Sequence, residues 1–140
     1  MHFGPLAGTR LTNLLRNARR LNVIGTLSDN VSLCNINEVI NNINSRYTNP
    51  FIVAIDAALS TPDRVGQILV TDGPLQLGSS LNRTGVQVGD IAVRGVVGRN
   101  TGNINQNLNI LRNVPLARVV NLSDIVSSGI YNCINYECNE

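Results

Sequence analysis

Residues 51–56 read Phe-Ile-Val-Ala-Ile-Asp, and this short stretch decides the fold class. Its apolar residues run continuously instead of alternating with polar ones, which is typical of a strand that is covered on both faces in a parallel sheet. The strand is predicted to end at Asp56. Asn49-Pro50, directly before it, ends a preceding helix.

Strands and helices alternate on either side of this stretch. Short apolar runs predict further strands at 23–27, 65–70 and 91–97. Apolar residues at helical spacing predict a first helix from Pro5, a second from Asn35, and a helical C-terminal part with a break at Pro115. Alternating strands and helices indicate an α/β sheet with helices layered on it.

Length and composition limit the chain to one domain. Its 140 residues, 43% of them apolar and 14% charged, suffice for a single core, so 1–140 is predicted to be one domain. The net charge is +2 at pH 7, so we expect neither a nucleic-acid nor a membrane partner. Every basic residue is Arg, which excludes lysine-based catalysis and a phosphate-loop lysine.

The cysteines and the histidine predict no metal site. Cys34, Cys133 and Cys138 are widely or unevenly spaced, and the chain has one His. These are too few ligands for a zinc site, and an odd number of cysteines favours a reducing compartment. No cofactor is predicted.

Asp56 is the candidate for chemistry, because ligands of open α/β sheets bind beyond the carboxyl ends of the strands. We expect it at the carboxyl end of a central parallel strand, facing a crevice that also receives the loop from Asp72 to Asn82. The alternative is that Asp56 only caps the following turn. After the next predicted strand comes a turn-rich loop whose backbone N–H groups could bind a peptide carbonyl or an anion. The predicted substrate-binding residues in this loop are Asp72, Gly73, Gly78, Ser79, Ser80 and Asn82.

The arginine-rich first helix is predicted to be part of the fold and not a cleaved targeting segment. Its apolar residues lie three and four positions apart and form one stripe, which consists of Leu11, Leu14, Leu15 and Ala18. Such a stripe is expected to pack against the sheet.

Several motifs, in order, resemble those of one sporulation-protein family. They are FGPLAGTRL (3–11), VIGTLSD (23–29), PFIVAIDAALS (50–60), VGQILVTDGPLQLGSSLN (65–82) and VGDIAVRGVVG (88–98). The chain resembles the YyaC family, small relatives of the spore germination protease, from Phe3 to Gly98. The resemblance implies a three-layer α/β/α sandwich with a mainly parallel sheet, of the phosphorylase/hydrolase-like type, in the cytoplasm of a mother cell or forespore.

The resemblance also implies an activity and a residue for it. Asp56 matches the aspartate that germination protease needs at its equivalent strand end, and Gly4 and Pro5 match the start of the first helix. The family has a second aspartate three residues before that glycine, where this sequence has Met1. The glycine-rich turn and the first strand that normally precede it are also expected to be missing.

Two functions therefore stay open. The first is an aspartate-dependent peptidase that acts on a peptide or spore protein and in which paired carboxylates polarise a water molecule. The second is a noncatalytic protein that binds a peptide or another spore protein in the same crevice. Without the second acid, we expect residues 1–140 to have little or no peptidase activity. Without the first strand, we also expect them to be marginally stable or to associate as a homo-oligomer through the gap that it leaves.

Overall fold

The computed structural model describes residues 3–14, 21–77 and 85–137, and it shows a mixed α/β fold. The four helices in these ranges are α1 (Phe3–Leu14), α2 (Ile36–Arg46), α3 (Ile104–Arg112) and α4 (Leu116–Glu137). The five strands are β1 (Val53–Ser60), β2 (Ile68–Asp72), β3 (Leu75–Gln76), β4 (Gln87–Val88) and β5 (Ile91–Arg99).

The main sheet is mixed, which corrects the prediction of a mainly parallel sheet. Its strand order is β1-β5-β2, with β5 in the centre. β1 pairs with β5 in parallel, whereas β2 runs antiparallel to β5. The connection from β1 to β2 is short, a 3-10 turn at Pro62–Arg64. Because a parallel crossover needs a dozen or more residues, so short a connection cannot return β2 in the parallel direction.

One face of the sheet carries the main hydrophobic core, which α1, α3 and α4 cover. The side chains at its centre are Phe3, Ala7, Leu59, Val93, Val97, Val119, Leu122 and Val126. Gly95 of β5 lies under the ring of Phe3, and a Cβ at this position would come within 2.6 Å of the Phe3 Cζ atom. A glycine is thus required where α1 crosses the central strand.

The other face carries a smaller cluster. Leu75 of the β3-β4 hairpin packs on Ala54 and Ala92, with Leu77 and Val88 beside them. The turn residues and glycines predict a loop here, and the two strands were missed because each has only two residues, too few to show an alternating pattern. In the described residues a hairpin lies on this face where the three-layer sandwich predicts helices, so the prediction is confirmed only as far as the mixed α/β class.

The strand predicted at 23–27 is wrong. Gly25 has a φ of 87°, which interrupts the extended backbone, and the segment lies against α1. A Cβ on Gly8 would come within 2.2 Å of the Gly25 carbonyl oxygen, and the Leu27 N–H donates to Thr9 Oγ1 at 3.0 Å. The backbone contacts of this segment are made to a helix, so it has no role in the sheet.

The helical predictions are largely confirmed. The second helix and the two C-terminal helices on either side of Pro115 are present. In the first helix Leu11 is buried but Leu14 is 44% exposed, while Leu15 and Ala18 lie outside the described residues. None of the helices in the described ranges is long and apolar enough to cross a membrane.

Candidate functional site

A groove of about 750 Å³ runs along the outer edge of β1. One wall is the apolar stripe of α2, formed by Ile36, Val39 and Ile43, and the segment from Leu21 to Leu33 contributes further side chains. The start of α1 and the residues of β1 from Val53 to Ala57 form its inner surface. Side chains of the β3-β4 hairpin, of α3 and α4 and of the segment before β1 also line it, among them Leu75, Val88, Leu111, Ile130 and Phe51. Only Ile36 of α2 is buried, so the apolar stripe of this helix faces the groove instead of a packed core.

The backbone of β1 presents hydrogen-bonding groups to this groove. The Ile52 carbonyl oxygen accepts from the N–H groups of Asp90 and Ile91, at 2.7 and 3.3 Å, on the β5 side. Because backbone groups alternate along a strand, the N–H and C=O groups of Val53, Ile55 and Ala57 point to the opposite side, toward the groove. In the described part of the chain no strand pairs with this edge.

Asp56 brings a carboxyl group to the same edge. It is half-buried, and its Oδ1 accepts a hydrogen bond of 2.8 Å from the Ala57 N–H, one of the groups that point toward the groove. Burial raises the pKa of Asp56 to about 6, although the Ala57 hydrogen bond opposes the increase by favouring the ionised form. The site therefore combines a backbone donor with an acid that is easily protonated.

The position of Asp56 differs from the prediction. It is the fourth residue of an eight-residue strand and not its end, and β1 is an edge strand of the described sheet and not a central one. The apolar run at 51–55 predicts the strand, but β1 begins at Val53, after Phe51 and Ile52, and Ala57 to Ser60 continue it beyond the charge. The aspartate is tolerated within the strand because its carboxyl group lies at the groove edge and accepts a hydrogen bond from the Ala57 N–H.

Arg94 is a neighbour of Asp56 that the sequence did not predict. The two residues are directly paired on adjacent parallel strands, so their side chains point to the same face of the sheet. No ion pair joins them in the part of the chain that the structure describes, and Arg94 Nε is buried without a hydrogen-bond partner. Because the register is set by tertiary structure, no spacing within the sequence indicates this neighbour.

The predicted substrate-binding loop does not meet Asp56 in the described residues. Asp72 and Gly73 lie at the end of β2, on the far side of β5 from β1, and neither lines the groove. The Gly73 N–H donates to the Asp90 carbonyl oxygen, which gives the glycine a structural role in the turn. The other predicted residues, Gly78, Ser79, Ser80 and Asn82, lie outside the described residues.

Asp90 has a structural task at the start of the sheet. Its Oδ2 accepts a 2.8 Å hydrogen bond from the Ile52 N–H, which ties the beginning of β1 to the turn before β5.

Within residues 3–14, 21–77 and 85–137, no three His, Cys, Asp or Glu side chains are grouped so that they could hold a metal ion.

The rim of the groove is unusually apolar for a surface that faces water. Phe51 is 71% exposed and Ile24 45% exposed, and Leu21, Leu33 and Val53 are each about 40% exposed. All five side chains line the groove. Contiguous exposed apolar side chains with a few polar groups among them are typical of binding sites.

Comparison with known sequences identifies a family that this chain matches and a relative in Bacillus subtilis. The family described as "Protein of unknown function (DUF1256)" matches residues 2–129. The chain is 34% identical over 127 residues to "Uncharacterized protein YyaC" of Bacillus subtilis (strain 168), an alignment that covers 91% of this chain. The aligned part spans 60% of the length of that relative. There is no significant match among solved structures.

Proposed function

The chain belongs to the DUF1256 family, and we propose that its groove is the site of an aspartate-dependent peptidase related to the spore germination protease, with Asp56 as the acid. The observation that carries the proposal is the carboxyl group of Asp56 at the edge of an apolar groove, with its pKa raised to about 6. Near neutral pH such a group exists in both protonation states, which general acid–base chemistry requires.

The chemistry would be the hydrolysis of a peptide bond. The oxygen of a water molecule bonds to the carbonyl carbon, the C–N bond breaks, and the departing amine takes up a proton. The ionised form of Asp56 would accept the proton of the water, and the protonated form would donate one to the substrate. The Ala57 N–H, which donates to the Asp56 carboxyl at 2.8 Å, would hold that carboxyl at the edge of the groove.

A second candidate is a noncatalytic protein that binds a peptide in the same groove. Carboxylate peptidases divide the two proton transfers between two acids, one protonated and one ionised. Asp56 is the only carboxylate among the described residues that line the groove. This observation favours binding over rapid cleavage, so we expect residues 1–140 to bind peptides and to cleave them slowly or not at all.

The biological setting is part of the proposal. The resemblance of five ordered motifs to a sporulation-protein family supports a role in the cytoplasm of a spore-forming bacterium, in the mother cell or the forespore. A peptide or a spore protein is then the substrate.

A cleavage assay with matched variants separates the two candidates. Wild-type protein, Asp56→Asn and Asp63→Asn are incubated with a library of synthetic decapeptides and with spore-protein extract between pH 5 and pH 8, and products are measured by mass spectrometry. Asp63 is exposed in the 3-10 turn, so its variant is the control. Any cleavage should be present in wild type and Asp63→Asn and absent in Asp56→Asn.

The outcomes assign the function. Cleavage that Asp56→Asn abolishes supports the peptidase. Binding of peptides with no cleavage supports the noncatalytic candidate. Cleavage at the wild-type rate by Asp56→Asn contradicts the proposed role of Asp56.

A further inference from the structure

We propose that the occupant of the groove is an extended peptide of about five apolar residues, which pairs with the outer edge of β1 as an additional strand. This inference rests on the proposed function, because it names the class of substrate that Asp56 meets. It goes further by specifying the backbone conformation, the length and the side-chain character of that substrate.

The backbone of β1 favours a strand as the occupant. Val53, Ile55 and Ala57 direct their N–H and C=O groups away from β5, and Ile55 and Ala57 are only partly exposed. Unpaired backbone groups in an apolar setting are unfavourable, and an added strand satisfies each of them. At present the Ala57 N–H is bonded only by the side chain of the preceding residue.

The size of the groove agrees with one short strand. A strand in a packed sheet occupies roughly 160 Å³ per residue, from its spacing to the neighbouring strand, its rise per residue and the distance between packed layers. The groove volume of about 750 Å³ has room for several residues on this scale, and the five residues of β1 that line it, Val53 to Ala57, set the length of the paired segment at about five residues. A helix does not fit this role, because it presents no backbone groups to β1.

The charge of the lining decides the side chains of the peptide. Apart from Asp56, none of the described lining residues is charged at neutral pH. A charged residue inside the groove would lose its hydration without gaining an ion pair, except beside Asp56. The complementary peptide is therefore apolar over the part that pairs with β1, with alternate side chains toward Val39 and Ile43 of α2.

A second copy of this chain fits the groove less well. To reach the edge of β1 with its own β1, a second copy would also bring its own α2 and the start of its α1, which wall the same edge. These elements would have to fit beside their counterparts along the same edge. A flexible peptide has no such obstacle.

Backbone N-methylation tests the pairing directly. The probe is a fluorescent peptide with the segment Val-Ala-Val-Ala-Val and a Lys at each end for solubility, together with five versions that are N-methylated at one residue each. Its affinity for wild-type 1–140 protein is measured by fluorescence anisotropy. Methylation should weaken binding by about tenfold or more at alternate residues and by less than about threefold at the others, because only every second N–H faces β1.

Two matched variants of α2 test the location. Ile43 lines the groove, whereas Ile40 on the same helix does not, and both are half-buried. Ile43→Asn should weaken binding of the unmethylated peptide by about tenfold, and Ile40→Asn should leave the affinity unchanged. Circular dichroism shows whether each variant is folded. The N-methylated peptides are measured on wild-type protein, so they test the pairing even if a variant fails to fold.

The outcomes test the added strand and the peptidase activity separately. Alternating sensitivity in the absence of cleavage supports the added strand and favours the noncatalytic candidate over the peptidase. Equal sensitivity at all five residues, or no binding, overturns the added strand even if cleavage by Asp56 occurs. Protection of the β1 amides from hydrogen exchange that depends only on protein concentration would assign the groove to a second copy and would also overturn the inference.

Discussion

The two outer edges of the sheet have opposite properties. β2 forms one edge with five residues, and its last three, Val70, Thr71 and Asp72, are exposed. β1 forms the other edge with eight residues, and apolar side chains of α1, α2 and the segment before α2 surround it. A short edge that ends in a charge is a usual protection against unwanted pairing. The β1 edge has no such protection except Asp56, and it is the edge at which we propose that a peptide binds.

The largest expected difference concerns how tightly apolar residues are packed in the core and in the groove. Leu122 of α4 is 1% exposed and Leu33 at the groove is 41% exposed. Leu122→Ala should lower the free energy of unfolding by about 2–5 kcal/mol, because it removes packed atoms and leaves a cavity. Leu33→Ala should lower it by less than about 1 kcal/mol. Denaturant unfolding of both variants measures the difference.

A comparable loss in the two leucine variants would contradict this comparison. It would mean that the groove is a packed part of the core. The β1 edge would then be covered already, with no room for a further strand.

An aspartate on each edge strand provides the second test, which depends on pH. Asp56 has a folded-state pKa of about 6, above its value of about 4 in an unfolded chain. Below about pH 4 both states are protonated and the group has no effect, and stability is lost as the pH rises from about 4 to about 6. Asp56→Asn should therefore stabilise the fold by about 1–3 kcal/mol at pH 7 and by almost nothing at pH 4.

The control for this test is Asp72→Asn. Asp72 is exposed at the end of β2, and its substitution should change stability by less than about 0.5 kcal/mol at either pH. Chemical denaturation at pH 4 and pH 7 gives all the values. A wild-type protein that is as stable as Asp56→Asn at pH 7 would show that the carboxyl group is not buried in the way that its surroundings indicate.

The sequence predicted most of the local structure and one of the groups in the site. The continuous apolar run before Asp56 identified β1, and the 3.6-residue periodicity identified α2, α3 and α4. Asp56 directly follows this run, and the rule that ligands of open α/β sheets bind beyond the carboxyl ends of strands predicts a functional role for it. These features depend only on residues that are close together in the chain, so they can be predicted from the sequence.

The parts that were missed depend on distant residues. The antiparallel direction of β2 follows from its pairing with β5, and the location of Arg94 beside Asp56 follows from the β1-β5 register. The segment 23–27 has the composition of a strand, but the contact of Gly8 with Gly25 attaches it to α1. The groove itself is a space between elements, and no motif in the chain encodes it.

The smallest expected change in stability, and the sharpest comparison of the two edges, comes from a pair of valines. Val53 on β1 is 40% exposed and Val70 on β2 is 65% exposed, and both strands are outer strands of the sheet. Lysine at either position should lower the free energy of unfolding by less than about 1 kcal/mol, because the ammonium group can reach water from a partly exposed site. Stability alone therefore does not distinguish the two edges.

Binding should distinguish the two edges. Val53 lines the groove and Val70 does not, so Val53→Lys places a positive charge where the apolar peptide would lie, and that charge loses its hydration when the peptide binds. We expect Val53→Lys to weaken binding of the Val-Ala-Val-Ala-Val probe by at least about tenfold, while Val70→Lys binds it as wild type does. Equal loss in both variants would mean that the lysine acts through the overall charge of the protein, and loss only in Val70→Lys would assign the peptide to the β2 edge. The charge added is the same in both variants, so a difference between them can come only from the edge on which the lysine lies.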